Sequence, residues 1–191
     1  MITIVNFGSS KTPLIAEMVS ACGAENQIIN WKDCNHGYFS GSDGIIFSGS
    51  PVMFTETDHA PYIEKFSFIK PGKIPVLGIC FGHQLMGILH DAKIFRGMEV
   101  RTRIKIKVVK EDVLLNGLSP ATEMNEDHTE GITLPPGFIH LASSSSYTIE
   151  AMRHPALPLW GVQFHPEVSG ETGKILMQNF IAETNRAVVL R

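Results

Sequence analysis

The sequence predicts an α/β fold in which an open, mostly parallel sheet is flanked by helices, with additional antiparallel strands in the C-terminal half. Up to about residue 90, short β-branched runs alternate with amphipathic helical stretches, which is the pattern of parallel β-α units. From about residue 93 the pattern changes to successive strands, and a single helical stretch follows them at 173–185. These two patterns together predict the mixed sheet.

In the N-terminal half, each predicted strand is a short run rich in Ile and Val or Leu. Thr12 and Pro13 predict an N-cap and a first helical position for the helix that follows the first strand. Apolar residues recur at helical spacing after Phe81, so a helix is expected there. The predicted elements are strands at 2–6, 26–31, 44–49 and 75–79, and helices at 13–22, 57–70 and 81–90.

In the C-terminal half, the predicted strands follow one another without helices between them. The basic residues of segment 96–110 alternate with Ile and Val, so we interpret them as the solvent face of a strand. The predicted elements are strands at 103–109, 138–142, 147–152 and 159–164, and the helix at 173–185.

Composition, charge and cysteine content limit the kinds of protein that this chain can be. The 191 residues, 43% of them hydrophobic and without a linker-like tract, predict one domain over 1–191. A net charge of −3 with interspersed signs argues against nucleic-acid and membrane-surface partners. The start MITIVNF lacks the features of a secretion signal, and no apolar run approaches the length of about 20 residues that spans a bilayer. Cys22, Cys34 and Cys80 form no C-x-x-C pair, which favours a reducing, cytoplasmic location.

Residues 74–89, IPVLGICFGHQLMGIL, place Cys80 where a strand-like run turns into a helix-like one. Gly78 and Gly82 give the G-x-nucleophile-x-G form of a strand-to-helix elbow, which would expose Cys80 at its tip. The start of the helix would favour the thiolate, and the Phe81 N–H would become an oxyanion donor. The alternative interpretation is a small buried hydrophobic residue between strand and helix.

A thiol nucleophile needs a base and a group that orients the base. In LWGVQFHPEVS, a strand-like run ends at His165, and Pro166 predicts an extended step that points Glu167 to the same side. One alternative is a surface loop with a chance acid. Another is the H-x-E of zinc deaminases, but that site also needs a P-C-x-x-C segment, which the chain lacks. The histidines and cysteines show no metal-ligand spacing, so no metal site is expected.

The segments GICFGHQ and GVQFHPEV resemble, in that order, the two motifs of the class I, or triad, glutamine amidotransferases. The resemblance implies that glutamine is the substrate and that Cys80 attacks its side-chain amide, forming a thioester and releasing ammonia. His165 would transfer the proton and Glu167 would orient the imidazole. Within the family, further segments are most similar to the glutaminase part of GMP synthetases; they are 6–16, 44–51 and 134–144.

The same resemblance implies roles for residues around the nucleophile. The backbone N–H groups of Ser50 and Phe81 would form the oxyanion hole, with Gly49 at the substrate. Gln84 would help to hold glutamine, and its alternative interpretation is an exposed polar residue of a helix. His128 matches a histidine-containing loop that borders the glutamine site in relatives, and its alternative interpretation is a loop histidine without a partner.

The chain departs from the family pattern at several positions. Ser50 stands where relatives usually have the second glycine of a Gly-Gly pair, although an oxyanion donor needs only a backbone N–H. Asn6 and Ser10 stand where Asp and Gln are frequent, and residues 90–93 replace frequent glycines. Residues 127–130, Asp-His-Thr-Glu, replace Ser-His-x-Asp.

The sequence contains no Ser-Gly-Gly-x-Asp-Ser ATP loop, and GSSKT at 8–12 lacks the spacing of a P-loop. We therefore expect no cofactor in this chain, and ATP and Mg on a partner, a separate GMP synthetase ATP-pyrophosphatase subunit that receives the ammonia. One alternative is a stand-alone amidohydrolase that acts on another γ-glutamyl amide. A second is a non-catalytic regulatory module, which Cys80, His165 and Glu167 argue against.

Overall fold

The computed structural model describes residues 1–39, 41–118 and 120–189. The helices are α1 Thr12–Ala21, α2 Ala60–Phe66, α3 Phe81–Leu89 and α4 Glu171–Val189. The strands are β1 Ile2–Asn6, β2 Asn26–Asn30, β3 Gly44–Phe47, β4 Val76–Ile79, β5 Ile94–Val100, β6 Arg103–Val108, β7 Ala121–Asn125, β8 His128–Ile132, β9 Ile139–Ser143, β10 Ala151–Arg153 and β11 Leu159–Val162.

One mixed sheet of nine strands runs through the molecule in the order β2-β1-β3-β4-β11-β10-β9-β6-β7. The first five strands of this order are parallel neighbours, and the remaining pairs are antiparallel. Strands β5 and β8 form a separate antiparallel ribbon. The predicted α/β class, with parallel strands first and antiparallel strands in the C-terminal half, is confirmed.

Helices cover both faces of the sheet because side chains alternate along each strand. Ile4 of β1 and Ile46 of β3 lie in one apolar cluster, which contains side chains of α1 and α4. Val5 and Phe47, the next residues along the same strands, lie in a second cluster, which contains side chains of α2 and α3. Each face of the parallel half is therefore buried.

Three strands were not predicted from the sequence, namely β5, β7 and β8. Most of β5 is exposed, and β7 lies at the edge of the large sheet. Strands in such positions need few apolar side chains, so their pattern is weak. The predicted strand 147–152 was mostly wrong, since only Ala151 and Met152 of that range are in strand β10. Before β10 the chain turns, and the Ser144 hydroxyl accepts the N–H of Tyr147 at 3.0 Å.

Two helix predictions also need correction. Lys11 occupies the N-cap position of α1, and Thr12 is the first helical residue. The Thr12 hydroxyl donates instead to Asn6 Oδ1 at 3.0 Å, which ties the helix to the end of β1. The helix expected over 57–70 is limited to Ala60–Phe66 and continues as a short 3-10 turn.

Among the residues described, no helix is both long enough and apolar enough to cross a membrane.

Helix α4 packs directly against the short 3-10 turn Pro166–Val168. A Cβ atom at Gly173 would lie 1.9 Å from the Pro166 carbonyl oxygen. A side chain at this position would therefore displace either the helix or the backbone between His165 and Glu167.

We expect Gly173→Ala to lower the free energy of unfolding by about 2–3 kcal/mol, because the obstructing atoms belong to the backbone and cannot rotate away. Gly41→Ala is the matched control, since among the described residues other than its chain neighbours no atom lies within 4 Å of its Cβ, and its effect should stay within about 0.5 kcal/mol. Urea denaturation followed by circular dichroism measures both. Wild-type stability of Gly173→Ala would contradict this packing.

Candidate active site

Cys80 lies at the sharp turn between β4 and α3. Its backbone has φ 52° and ψ −105°, a conformation that residues other than glycine rarely adopt. Two glycines make the turn sterically possible. A Cβ at Gly78 would lie 2.5 Å from the Gly82 carbonyl oxygen, and a Cβ at Gly82 would lie 2.4 Å from the Phe47 carbonyl oxygen. The chain thus has the strained strand-to-helix elbow on which a nucleophile is presented.

The Cys80 side chain is less accessible than the sequence pattern predicted. The residue is 5% exposed, and its Sγ lies 4.0 Å from the Asp127 carbonyl oxygen. Cys80 lines a cleft of about 450 Å³ together with His165, and this volume is in the range of small-molecule sites. The thiol is therefore largely shielded from bulk solvent and lines this cleft.

His165 follows β11, and its backbone is fixed on both sides. Its N–H donates to the Asn125 carbonyl at 2.8 Å, and its carbonyl accepts the Ser169 hydroxyl at 2.6 Å. The imidazole Nδ1 lies 2.7 Å from Glu167 Oε1. His165 has the extended backbone predicted before Pro166, with φ −104° and ψ 91°. Glu167 then reaches this position through the 3-10 turn Pro166–Val168, so the extended conformation does not continue to Glu167 although the predicted proximity is observed.

The electrostatics of His165 favour its protonated form. Burial alone would lower the pKa of the imidazole, but attraction to Cys80, a hydrogen bond with the Cys80 side chain and the contact with Glu167 together raise that pKa to about 10. Both His165 and Glu167 are buried. An imidazolium placed between a thiolate and a carboxylate can give and take a proton beside the sulfur.

The N–H groups of Ser50 and Phe81 are available to a ligand. Both residues line the cleft, and within the described chain no protein oxygen accepts a hydrogen bond from either backbone N–H. Phe81 is the first residue of α3, where an N–H has no acceptor inside the helix. The Ser50 hydroxyl points away from the cleft, donating to the Phe7 carbonyl at 2.8 Å and accepting the Val52 N–H at 3.1 Å.

Gly49 lies beside His165 and is not among the residues that line the cleft. A Cβ at this position would lie 3.2 Å from His165 Cε1. The glycine therefore leaves room for the imidazole of His165, and Gly49 itself is not among the residues that line the cleft.

Gln84 and His128 both line the cleft, and both are buried. Gln84 Nε2 donates to the Glu130 carbonyl and to Gln163 Oε1, each at 3.1 Å. His128 Nδ1 lies 2.8 Å from the Glu130 carbonyl oxygen, and Nε2 lies 2.9 Å from Glu126 Oε2. The alternative interpretations, an exposed helical residue and a loop histidine without a partner, were therefore wrong.

Charged groups on the cleft wall were not predicted from the sequence. Lys11 Nζ lies 2.5 Å from Asp127 Oδ2, and Arg101 Nε lies 3.8 Å from Asp127 Oδ1. Partial burial would raise the pKa of Asp127, but the hydrogen bond and attraction to Lys11 lower it.

Glu130 accepts the N–H groups of Phe54 and Thr55 at 2.8 and 2.7 Å, which fixes the loop after Ser50. These partners are far apart in sequence, so no local pattern indicates them.

One group of side chains in the described chain has the donor atoms of a metal site, namely Glu126, His128 and Glu150. All three are buried. One ligand atom from each residue lies within 4.8 Å of the others, and within the described chain Glu126 Oε1 and Oε2, Glu150 Oε2 and His128 Nε2 have no hydrogen-bond partner.

Comparisons with known proteins identify the family. The family model "Glutamine amidotransferase class-I" matches residues 3–184. A subunit of glutamine-hydrolyzing GMP synthase from Methanosarcina barkeri is 40% identical over 142 residues, which cover 73% of this chain and 72% of the relative. The protein of the same name from Pyrococcus abyssi is 34% identical over 184 residues, covering 94% of this chain and 96% of the relative.

Solved structures give the same fold. A GMP synthase subunit from Thermoplasma acidophilum superimposes with a TM-score of 0.91 at 24% identity, covering 99% of this chain and 96% of that one. A glutamine amidotransferase from Thermotoga maritima gives a TM-score of 0.75 at 15% identity, covering 98% and 85% of the two chains.

The elbow and the His-Glu segment come from the two motifs that suggested the resemblance, and the family match spans both of them. This chain belongs to the class I glutamine amidotransferase family.

Proposed function

We propose that this chain hydrolyses glutamine to glutamate and ammonia through Cys80, His165 and Glu167, and that it supplies the ammonia to a separate synthetase subunit. The proposal rests mainly on one observation. Cys80, on its strained elbow, lies beside the buried pair of His165 and Glu167, which comes from a distant segment of the chain. The names of the 33–40% identical relatives, which are subunits of glutamine-hydrolyzing GMP synthases, support both the substrate and the existence of a partner.

In the first half of the reaction, the Cys80 thiolate attacks the side-chain amide carbon of glutamine. A C–S bond forms, and the electron pair of the carbonyl moves onto oxygen. The N–H groups of Ser50 and Phe81 stabilise this oxyanion, a contribution of about 3–4 kcal/mol per donor in other acyl-transfer enzymes. His165 then gives its proton to the amide nitrogen, the C–N bond breaks, and ammonia leaves a thioester on Cys80.

In the second half, water attacks the thioester carbon while His165 accepts a proton from the water. The C–S bond breaks, glutamate leaves, and the thiolate–imidazolium pair is restored. Glu167 keeps the imidazole in the correct orientation and stabilises its cation throughout. Gln84 and His128 hold the substrate side of the cleft, and Gly49 leaves space for His165. The chain itself uses no cofactor, and ATP and Mg act on the partner.

Cys80→Ala should abolish glutamine hydrolysis and covalent labelling by a glutamine-mimicking electrophile, because no other thiol lies in the cleft lining. Cys34→Ala is the control, since burial raises the pKa of the Cys34 thiol to about 11 and keeps it unreactive. Mass spectrometry of the labelled proteins measures the outcome. The assignment of Cys80 would be wrong if Cys80→Ala were still labelled fully and if labelling disappeared only when Cys22 or Cys34 was replaced.

His165→Ala should slow hydrolysis by about 10²–10⁴-fold, because the proton acceptor is lost. Glu167→Gln should lose less, because the amide oxygen can still accept the Nδ1 hydrogen bond but stabilises the cation less well. Steady-state rates at saturating glutamine compare the two variants. If His165→Ala kept its full activity, another histidine would have to be the base, and His128 would be the first candidate.

We expect the isolated chain to be a weak glutaminase, because a protein that supplies ammonia to a partner wastes it when alone. Lys11 and Asp127 form an ion pair and both line the cleft that contains Cys80, so docking that moves either loop should change access to Cys80. An ATP- and XMP-loaded synthetase subunit should raise the rate at least about tenfold, a coupling of about 1.4 kcal/mol.

The alternative function makes a different prediction in the same assay. High activity of the isolated chain, equal on other γ-glutamyl amides and unaffected by the synthetase subunit, would establish a stand-alone amidohydrolase instead.

A further inference from the structure

Three buried side chains beside the cleft bring their polar atoms together. They belong to Glu126, between β7 and β8, to His128, the first residue of β8, and to Glu150, which directly precedes β10. Their exposed fractions are 3%, 8% and 0%, and one ligand atom from each lies within 4.8 Å of the other two. Glu150 joins the other two only through the fold, so sequence spacing did not predict this group.

Four atoms of the group have no hydrogen-bond partner in the part of the chain that the structure describes. They are both carboxylate oxygens of Glu126, Oε2 of Glu150 and Nε2 of His128. Glu126 Oε2 and His128 Nε2 are 2.9 Å apart, yet these two atoms do not form a hydrogen bond. Buried polar atoms are almost always satisfied, so four such atoms in one place indicate a ligand that the protein itself does not supply.

The group also lacks a compensating positive charge. Among the described residues, the ion pairs of lysine and arginine all involve acids other than Glu126 and Glu150. A buried carboxylate without a positive partner is very costly. Water molecules would give the unpartnered atoms hydrogen bonds but no opposite charge. A divalent cation supplies both, because carboxylate oxygen and imidazole nitrogen are common metal ligands.

The neighbouring groups orient His128 and Glu150 as ligands. His128 Nδ1 lies 2.8 Å from the Glu130 carbonyl oxygen. A carbonyl only accepts, so Nδ1 carries the hydrogen and the neutral ring has its lone pair on Nε2. Ligating histidines almost always donate their other N–H in this way. At Glu150, Oε1 accepts the Ser144 hydroxyl at 2.5 Å, and Oε2 remains without a partner.

The number and spacing of the donor atoms fit a transition-metal ion. Zn²⁺ binds imidazole nitrogen and carboxylate oxygen at about 2.0–2.2 Å, and its structural sites have about four protein donors. Two ligand atoms of one such ion lie up to about 4.4 Å apart, so the observed separations need at most a small side-chain movement. Mg²⁺ and Ca²⁺ prefer oxygen ligands alone, so the nitrogen of His128 favours Zn²⁺ or a similar ion.

The backbone on either side of Glu126 contacts both Cys80 and His165. Asn125, the residue before Glu126, accepts the His165 N–H with its carbonyl at 2.8 Å. Asp127, the residue after it, places its carbonyl oxygen 4.0 Å from Cys80 Sγ. A ligand that holds the Glu126 side chain therefore also fixes this wall of the cleft.

We propose that Glu126, His128 and Glu150 bind one divalent transition-metal ion, with Zn²⁺ as the first candidate. The ion compensates the charge of the two carboxylates and links the loop before β8 to the segment before β10. Its role is structural, and no step of the proposed hydrolysis passes through it. The site belongs to the folded chain and does not depend on the proposed function.

Metal content tests the site directly. Zn²⁺ also binds thiolates, and Cys80 lies in the cleft, so the measurement uses the full-length Cys80→Ala chain without an affinity tag. The protein is stripped with a chelator, incubated with excess ZnCl₂, desalted and analysed for zinc by elemental mass spectrometry. We expect one zinc ion per chain. Because hydrolysis is not measured, failure of the proposed function would leave this result unaffected.

Glu126→Gln and Glu150→Gln, each made in the Cys80→Ala chain, remove one carboxylate at a time. Loss of a group that only orients a ligand weakens metal binding by about 10–100-fold, so loss of a ligand should weaken it by at least about 100-fold. Each variant should therefore retain less than about one-tenth of the zinc. Glu123→Gln is the matched control, because Glu123 is a nearby acid that is exposed on β7, and it should keep the full zinc content.

Thermal unfolding gives a second measurement on the same proteins. Zn²⁺ at about 100 times its Kd should raise the Tm of the stripped Cys80→Ala chain by about 5–10 °C. The Glu123→Gln control should show the same shift, and Glu126→Gln should show less than about 2 °C at the same concentration. Mg²⁺ should leave the Tm unchanged. If both glutamine variants fail to fold, the stripped and reloaded Cys80→Ala chain still decides, because it keeps all three ligands.

Three outcomes would overturn the proposal. One is a Cys80→Ala chain that retains no zinc after loading and shows no shift in Tm, in which case water or protons satisfy the group. Another is an equal zinc content in the parent chain and in both glutamine variants, which would place the ion elsewhere. The third is stabilisation by Mg²⁺ and not by Zn²⁺, which would contradict the class of ion.

Discussion

The parallel pairing of β4 with β11 is the constraint on which the site depends. The two strands are adjacent in the sheet although the ribbon and several antiparallel strands separate them in sequence, and Ile79 lies opposite Val162. The carboxyl ends of parallel strands meet at one edge of a sheet, where ligands bind in open α/β folds. Cys80 follows the first strand directly and His165 follows the second within three residues. Cys80 and His165 therefore meet because of strand register, and the helices stabilise that register from both faces.

The strained elbow needs support from its surroundings, and the packing supplies it. Backbone of the kind found at Cys80 costs of order 1–3 kcal/mol and persists only where neighbouring structure fixes it. The Cys80 N–H donates to the Val162 carbonyl at 2.9 Å, and the Gly82 N–H donates to the Ser48 carbonyl at 3.2 Å. Both acceptors belong to the segments beside β4, so the same sheet that brings His165 to Cys80 also holds Cys80 in its strained conformation.

The sequence predicted those features of the site that depend on a few neighbouring residues. It did not predict the contacts between segments that are far apart in the chain. The elbow glycines and the His-x-Glu segment act over a few residues, so their spacing predicted them, as it predicted most elements of the parallel half. The N-cap prediction at Thr12 failed because its hydroxyl found a partner in Asn6, which a capping rule does not consider. The Lys11–Asp127 and Glu126–Glu150 contacts join residues whose proximity arises only when loops of distant strands converge. Strands β5 and β7 lie at edges where burial leaves little pattern, and β8 buries polar side chains, His128 and Glu130, which give no apolar pattern.

The charges around His165 determine how readily its imidazole can exchange a proton. The imidazolium is stabilised by Cys80 and Glu167, and these contacts outweigh the cost of burying it. The pair at Glu126 and Glu150 lies close enough for His165 to lower the pKa of Glu126, so by reciprocity an ionised Glu126 would stabilise the imidazolium further. A base held too firmly as a cation gives up its proton less readily, and acid-base transfer works best when the pKa is near the working pH.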